Sequence, residues 1–186
     1  MSGATLINML AELDDQLWSR VSPDLYRSTL DRGVVLHERQ GATPSQQAWL
    51  RRTFGGLWAE EVATGYAWFA TDWDGNELGF AAYDCRLDFP WLRKWRDEPG
   101  VGIFGPMGVA ESERKRGLGS LLCLLALQSL KNQRCTRALI GAVGPEAFYE
   151  RVCGARRVEA FSRAQMLGVG LRHMLQSVAT GKWRNR

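Results

Sequence analysis

The stretch Val109-Ala-Glu-Ser-Glu-Arg114-Lys-Arg-Gly117-Leu-Gly119-Ser runs straight into Leu121-Leu-Cys-Leu-Leu-Ala-Leu127, and it constrains this chain more than any other part. It reads as the end of a β-strand, a basic glycine loop, and the opening turns of a helix apolar enough to be buried. The first four N–H groups of a helix have no intrahelical partner, and the helix dipole is positive at that end. With Arg114, Lys115 and Arg116 alongside, this makes a site for phosphate oxygens. Gly117 and Gly119 matter because a diphosphate approaches the backbone closely only where no Cβ stands in the way. The segment is a diphosphate cradle at a strand-to-helix junction.

Two better-known loops are excluded. A P-loop needs G-x-x-x-x-G-K-[ST], and Gly117-Leu-Gly119-Ser120 has neither that spacing nor the lysine. A dinucleotide fingerprint needs a third glycine, but position 122 is Leu. What the chain does carry is R-x-x-G-x-G, written Arg114-Lys-Arg-Gly117-Leu-Gly119. Downstream, Arg137-Ala-Leu-Ile-Gly-Ala-Val143 has the length of a buried strand, so strand, helix and strand form a right-handed crossover between parallel strands. A short helix then follows in Gly144-Pro-Glu-Ala-Phe-Tyr149-Glu-Arg-Val-Cys-Gly154, with Pro145 at its start and Gly154 as its stop.

The R-x-x-G-x-G loop, followed at this distance by Phe-Tyr-Glu-Arg before a glycine, resembles the two signatures of the GNAT superfamily of acetyl-CoA-dependent N-acyltransferases. The likeness covers roughly residues 33–165. It implies an α/β fold: a mixed, mostly antiparallel sheet with a splayed parallel strand pair, flanked by helices. It also implies a donor, acetyl-CoA, whose pantetheine arm lies between the splayed strands. By position, the backbone of Met107, Val109 and Ala110 would bond that arm. Arg114, Lys115, Arg116, Gly117, Leu118, Gly119 and Ser120 would hold the diphosphate, and Phe148 completes the cofactor-binding set. Tyr149 would be the catalytic acid, giving a proton to the departing thiolate. The chain departs from the family in two respects: Tyr149 to Gly154 is five residues, where four is usual, and Val143-Gly144-Pro145 replaces the frequent asparagine before the helix. Glu60, Glu61, Asp84 and Glu111 are the carboxylates on segments that could border an acceptor cleft. Each reads as a solvated or paired surface charge, so no base is assigned.

The remaining elements follow from periodicity. Leu6, Leu10, Leu13 and Leu17 repeat at helical spacing, so residues 1–32 are expected to form an N-terminal helical extension, and 33–186 the acyltransferase domain. That apolar stripe must be covered by the chain's own sheet, by the acceptor cleft, or by a second subunit. The expectation is the last, a homodimer. Ser22-Pro23 and Gly33 bracket a short helix, and Val34-Val-Leu-His-Glu38 is a strand. Thr43-Pro-Ser-Gln46 signs a capping box that opens an amphipathic helix broken near Gly55-Gly56. Residues 66–73 and 77–84 flank Asp74-Gly75 as a hairpin, and 101–109 form the next strand.

Composition narrows the partners. With 186 residues, 45% hydrophobic and 24% charged, the chain suits one globular α/β domain. No apolar run is long enough to span a bilayer, so no membrane partner is expected. Cys85, Cys123, Cys135 and Cys153 form no C-x-x-C pair, and His37 and His173 are the only imidazoles. A metal-free site in a reduced, cytoplasmic setting is therefore expected. The net charge of +4 is scattered and accompanied by no nucleic-acid motif, which argues against DNA or RNA. The aromatic, basic segment 87–100, with Trp49 and Trp58, is placed to wall an acceptor site suited to the amine of a small molecule or peptide. The competing class is a catalytically silent acyl-CoA-binding or protein-interaction module with the same fold.

Overall fold

The computed structural model describes residues 5–85, 95 and 98–162. Seven strands form one sheet in the order β2-β3-β4-β5-β6-β1-β7. These are β1 (Thr5–Glu12), β2 (Val35–Gln40), β3 (Tyr66–Thr71), β4 (Glu77–Asp84), β5 (Val101–Val109), β6 (Arg137–Val143) and β7 (Arg156–Ser162). The helices that lie wholly among the described residues are α1 (Leu25–Leu30), α2 (Pro44–Phe54), α3 (Gly56–Val62), α4 (Leu118–Asn132) and α5 (Glu146–Cys153). Every neighbouring pair is antiparallel except β5 and β6, which run parallel on either side of α4. This is the mixed sheet with one parallel pair that the two signatures imply.

Local signals act as read. The Thr43 hydroxyl accepts the Gln46 N–H at 3.1 Å while Gln46 Oε1 accepts the Thr43 N–H at 3.0 Å, so the capping box closes with Pro44 in the first turn. Gly55, at φ +102, separates α2 from α3. At the β3–β4 hairpin Gly75 takes φ +81, and Asp72 Oδ1 accepts the N–H groups of Asp74 and Asn76.

Both faces of the sheet are covered. Helix α4 buries Leu118, Leu121, Leu122, Leu124 and Leu127 completely against one face. On the other, α2 and α3 pack Trp49, Leu50 and Val62 onto Phe69 and Phe80. Leucines this deep each contribute about 1.5–3 kcal/mol of burial. Among the described residues, no helix is long and apolar enough to cross a membrane.

The N-terminal segment differs from expectation. Residues 5–12 are a strand, not a helix, and β1 pairs on both sides, with β6 and with β7. Leu6 and Leu10 are four apart, a spacing that puts two side chains on one face of a strand as well as of a helix. The run Ile7 to Ala11 is buried on both faces, which selects a central strand. Leu10 packs on Ile103 and Leu139, while Leu13 and Leu17 enter the main core beside α4. Of the stripe expected to join two subunits, Leu10, Leu13 and Leu17 are buried in the chain's own core. The insertion at 87–100 lies outside the described residues apart from Trp95 and 98–100.

Candidate active site

The parallel ladder between β5 and β6 is short. It pairs Val101 with Arg137 through Phe104 with Ile140 and then stops. Register supplies the reason. Arg137 N–H donates to Gly100 C=O, so even residues of β5 bond β6 in this stretch. Continued pairing would ask the carbonyl of Gly141 to take the N–H of residue 106, and residue 106 is proline, which has none. Each strand also carries one extra residue at this level. Against β4 the register steps from Ala81–Met107 to Tyr83–Phe104, a bulge at Gly105-Pro106. Against β1 it steps from Ile7–Val143 to Met9–Ile140, a bulge at Gly141-Ala142. Two facing bulges and a missing donor split the sheet.

The β5 bulge changes which backbone groups face the split. Ala110 N–H donates to Leu78 C=O at 2.7 Å, so beyond the bulge even residues bond β4. Met107 and Val109 therefore aim their N–H and C=O groups toward the opening, as the sequence reading requires of an arm-binding strand. Ala110 does not share this property. Its N–H is engaged by Leu78, and its carbonyl accepts the Glu113 N–H at 3.0 Å.

Beyond Ala110 a single turn of 3-10 helix, Glu111–Glu113, leads into the basic loop. Lys115 and Gly117 both take left-handed backbone, at φ +62 and +89, and such alternation makes successive N–H groups converge on an anion. Gly117 precedes α4, and no side chain caps the helix. Leu121 N–H makes the first helical bond, to Gly117 C=O, so the N–H groups of Leu118, Gly119 and Ser120 precede the helix's own ladder. The Leu118 side chain is wholly buried, which leaves only its backbone for a ligand. Arg114, Lys115 and Arg116 are all exposed, and Arg116 is tied to Glu113 at 2.6 Å. Glu113, which sequence reasoning missed, is 8% exposed, and its Oε2 has no hydrogen-bond partner among the described residues.

The two glycines do different work. A Cβ on Gly117 would sit 2.6 Å from Leu25 Cδ1, in backbone that L residues rarely adopt. Gly117→Ala is expected to cost about 1–3 kcal/mol of stability by urea unfolding. A Cβ on Gly119 meets nothing closer than Met107 Cε at 3.5 Å, with Val109 Cγ1 and Phe148 Cε2 at 3.8 and 3.9 Å. It would point into the space where β5, α4 and α5 meet, below the split.

Tyr149 and half-buried Phe148 come from α5. The Tyr149 ring packs edge-on against Phe148 at 4.9 Å and against Phe104 at 5.9 Å. Phe104 is the last β5 residue paired with β6, so Tyr149 stands at the vertex of the split. It is 8% exposed, and burial, with smaller contributions from Cys123 and Cys153, raises its phenol above the ordinary value. Gly154 takes φ +65, and the Ala155 N–H reaches back to Tyr149 C=O at 3.3 Å.

Residues 22–155 match the acetyltransferase (GNAT) family. Two curated relatives are named mycothiol acetyltransferase. The protein of Rhodococcus jostii (strain RHA1) is 31% identical over 132 residues, which cover 67% of this chain and 41% of that protein. The protein of Rhodococcus opacus (strain B4) is 30% identical over 135 residues, covering 68% and 42%. The chain thus spans about two-fifths of the length of these relatives. Among solved structures, it resembles the GCN5-related glucosamine N-acetyltransferase region of a fungal multi-domain GH3 beta-N-acetylglucosaminidase. That likeness has a TM-score of 0.66 at 18% identity, over 85% of this chain and 20% of that one. A tandem GNAT protein from the clavulanic acid biosynthesis pathway gives a TM-score of 0.59 at 14% identity, over 87% and 53%. At such identities the structural likeness carries the fold alone. A split parallel pair, a glycine-bearing loop and a match across most of the sequence agree: the chain belongs to the GNAT acetyltransferase family.

Proposed function

We propose that this protein transfers an acyl group, acetyl, from coenzyme A to the amine of a small molecule or peptide. The observation that carries this reading is the split between β5 and β6, which ends at Phe104 and Tyr149 and leads to the uncapped first turn of α4. A long thin donor with a diphosphate at one end and a thioester at the other matches those two ends. The N–H groups of residues 115–120 would hold the diphosphate, and the backbone of Met107 and Val109 the amides of the arm. Gly119 is the point where arm and helix pass most closely.

In the transfer, the amine nitrogen bonds to the thioester carbonyl carbon, the carbon–sulfur bond breaks, the ammonium proton leaves to solvent, and the sulfur takes a proton. Tyr149 supplies that last proton. Its raised phenol stays protonated throughout the physiological range, so it meets the departing sulfur as a hydrogen-bond donor, and once the proton has passed to sulfur the phenol regains one from solvent.

Acetyl-CoA binding by calorimetry, followed by thiol release in the presence of an amine panel, tests the reading. Binding with amine-dependent thiol release is expected. No binding would overturn it, and binding without thiol release from any amine would favour the silent acyl-CoA-binding module.

A further inference from the structure

We propose that Asn8, on the N-terminal strand, is a positioning residue that holds the β6 lip of the coenzyme A cleft in its open shape. The inference rests on the acyltransferase reading but adds a residue outside the matched region, which begins at residue 22.

Asn8 is 1% exposed. It sits where both neighbouring strands slip out of register. Against β6 the slip falls between Ile7 and Met9, and against β7 between Asn8 and Met9. An amide side chain fits such a place because it offers both a donor and an acceptor. Asn8 Oδ1 accepts the Ala142 N–H at 3.0 Å, and Asn8 Nδ2 donates to Glu159 Oε2 at 3.0 Å. Ala142 is the extra residue of the β6 bulge, and it is held at φ +49. Left-handed backbone is unfavourable for alanine and persists only where the surroundings enforce it. The hydrogen bond that the Ala142 N–H donates to Asn8 provides that enforcement. Without an acceptor at residue 8, the Ala142 N–H would lose its protein partner, and β6 would gain by returning to regular pairing. The bulge sits one step past Ile140, the last β6 residue paired with β5, so relaxing it reshapes the wall of the split.

Calorimetry with coenzyme A itself tests this, with heat unfolding as the folding control. Asn8→Leu keeps the volume and removes the acceptor, and is expected to weaken binding about tenfold. Adding Ala142→Gly, which takes φ +49 without strain, is expected to restore affinity to within about threefold. Wild-type affinity in Asn8→Leu, or a loss that Ala142→Gly leaves in place, overturns the inference. Should Asn8→Leu not fold, the pair Asn8→Asp with Glu159→Gln rebuilds both hydrogen bonds: a carboxylate oxygen at residue 8 still accepts the Ala142 N–H, and the bond to residue 159 has donor and acceptor exchanged. That pair is expected to bind as wild type does, and a folded pair binding about tenfold more weakly overturns the inference. Failure of the wild-type protein to bind coenzyme A would instead overturn the acyltransferase reading.

Discussion

A Gly119→Ala protein is expected to fold, to be at least as heat-stable as its parent, and to bind coenzyme A ten to a hundred times more weakly. The three effects have one origin. The added methyl clears its protein neighbours by 3.5 Å or more, so nothing in the fold has to move. Alanine is the better helix former by about 0.5–1 kcal/mol, so the first turn of α4 gains slightly. The same methyl would project toward Met107, Val109 and Phe148, into the space assigned to the arm and diphosphate. Forcing a methyl into an occupied, close-packed contact costs about 1–3 kcal/mol, hence about ten- to a hundredfold in affinity. Paired calorimetry and thermal unfolding read both halves. Unchanged affinity in a folded Gly119→Ala protein would remove the diphosphate cradle from this loop.

Tyr149→Phe is expected to lower kcat by about a hundredfold to ten-thousandfold, the usual span of general-acid catalysis. Coenzyme A affinity should hold, because the ring and its edge-on contacts with Phe104 and Phe148 are kept. This separates chemistry from binding. Equal turnover in the Phe protein would show that the five-residue spacing to Gly154 has turned the hydroxyl away, and Tyr149 would then be a core residue at the vertex and nothing more.

How much of this was legible before folding depends on the range of the interaction. The capping box at Thr43, the hairpin at Asp74-Gly75 and the stop at Gly154 were readable because each is decided by hydrogen bonds or φ preferences within a few residues. The helix at 118–132 and the strand at 137–143 were readable because continuous apolar runs of those lengths have few other ways to be buried. Leu6 and Leu10 misled because leucines four apart serve either period, and the pairing that chose strand comes from β6 and β7, more than a hundred residues away.

The candidate site divides along the same line. Sequence alone determined the composition of the loop: glycines and basic residues side by side, with a helix start behind. It also placed Tyr149 on the next short helix. Only the tertiary structure decided that β5 and β6 part after Phe104 and Ile140, and that Met107 and Val109, but not Ala110, turn their backbone groups to the opening. Pro106 could be seen in the chain, but its missing N–H acquires meaning only once register sets it opposite Gly141. The grip of Asn8 on Ala142 likewise joins residues 134 apart in the chain. Hydrogen-bond partners of a strand are set by what lies beside it, and a linear sequence does not state its neighbours.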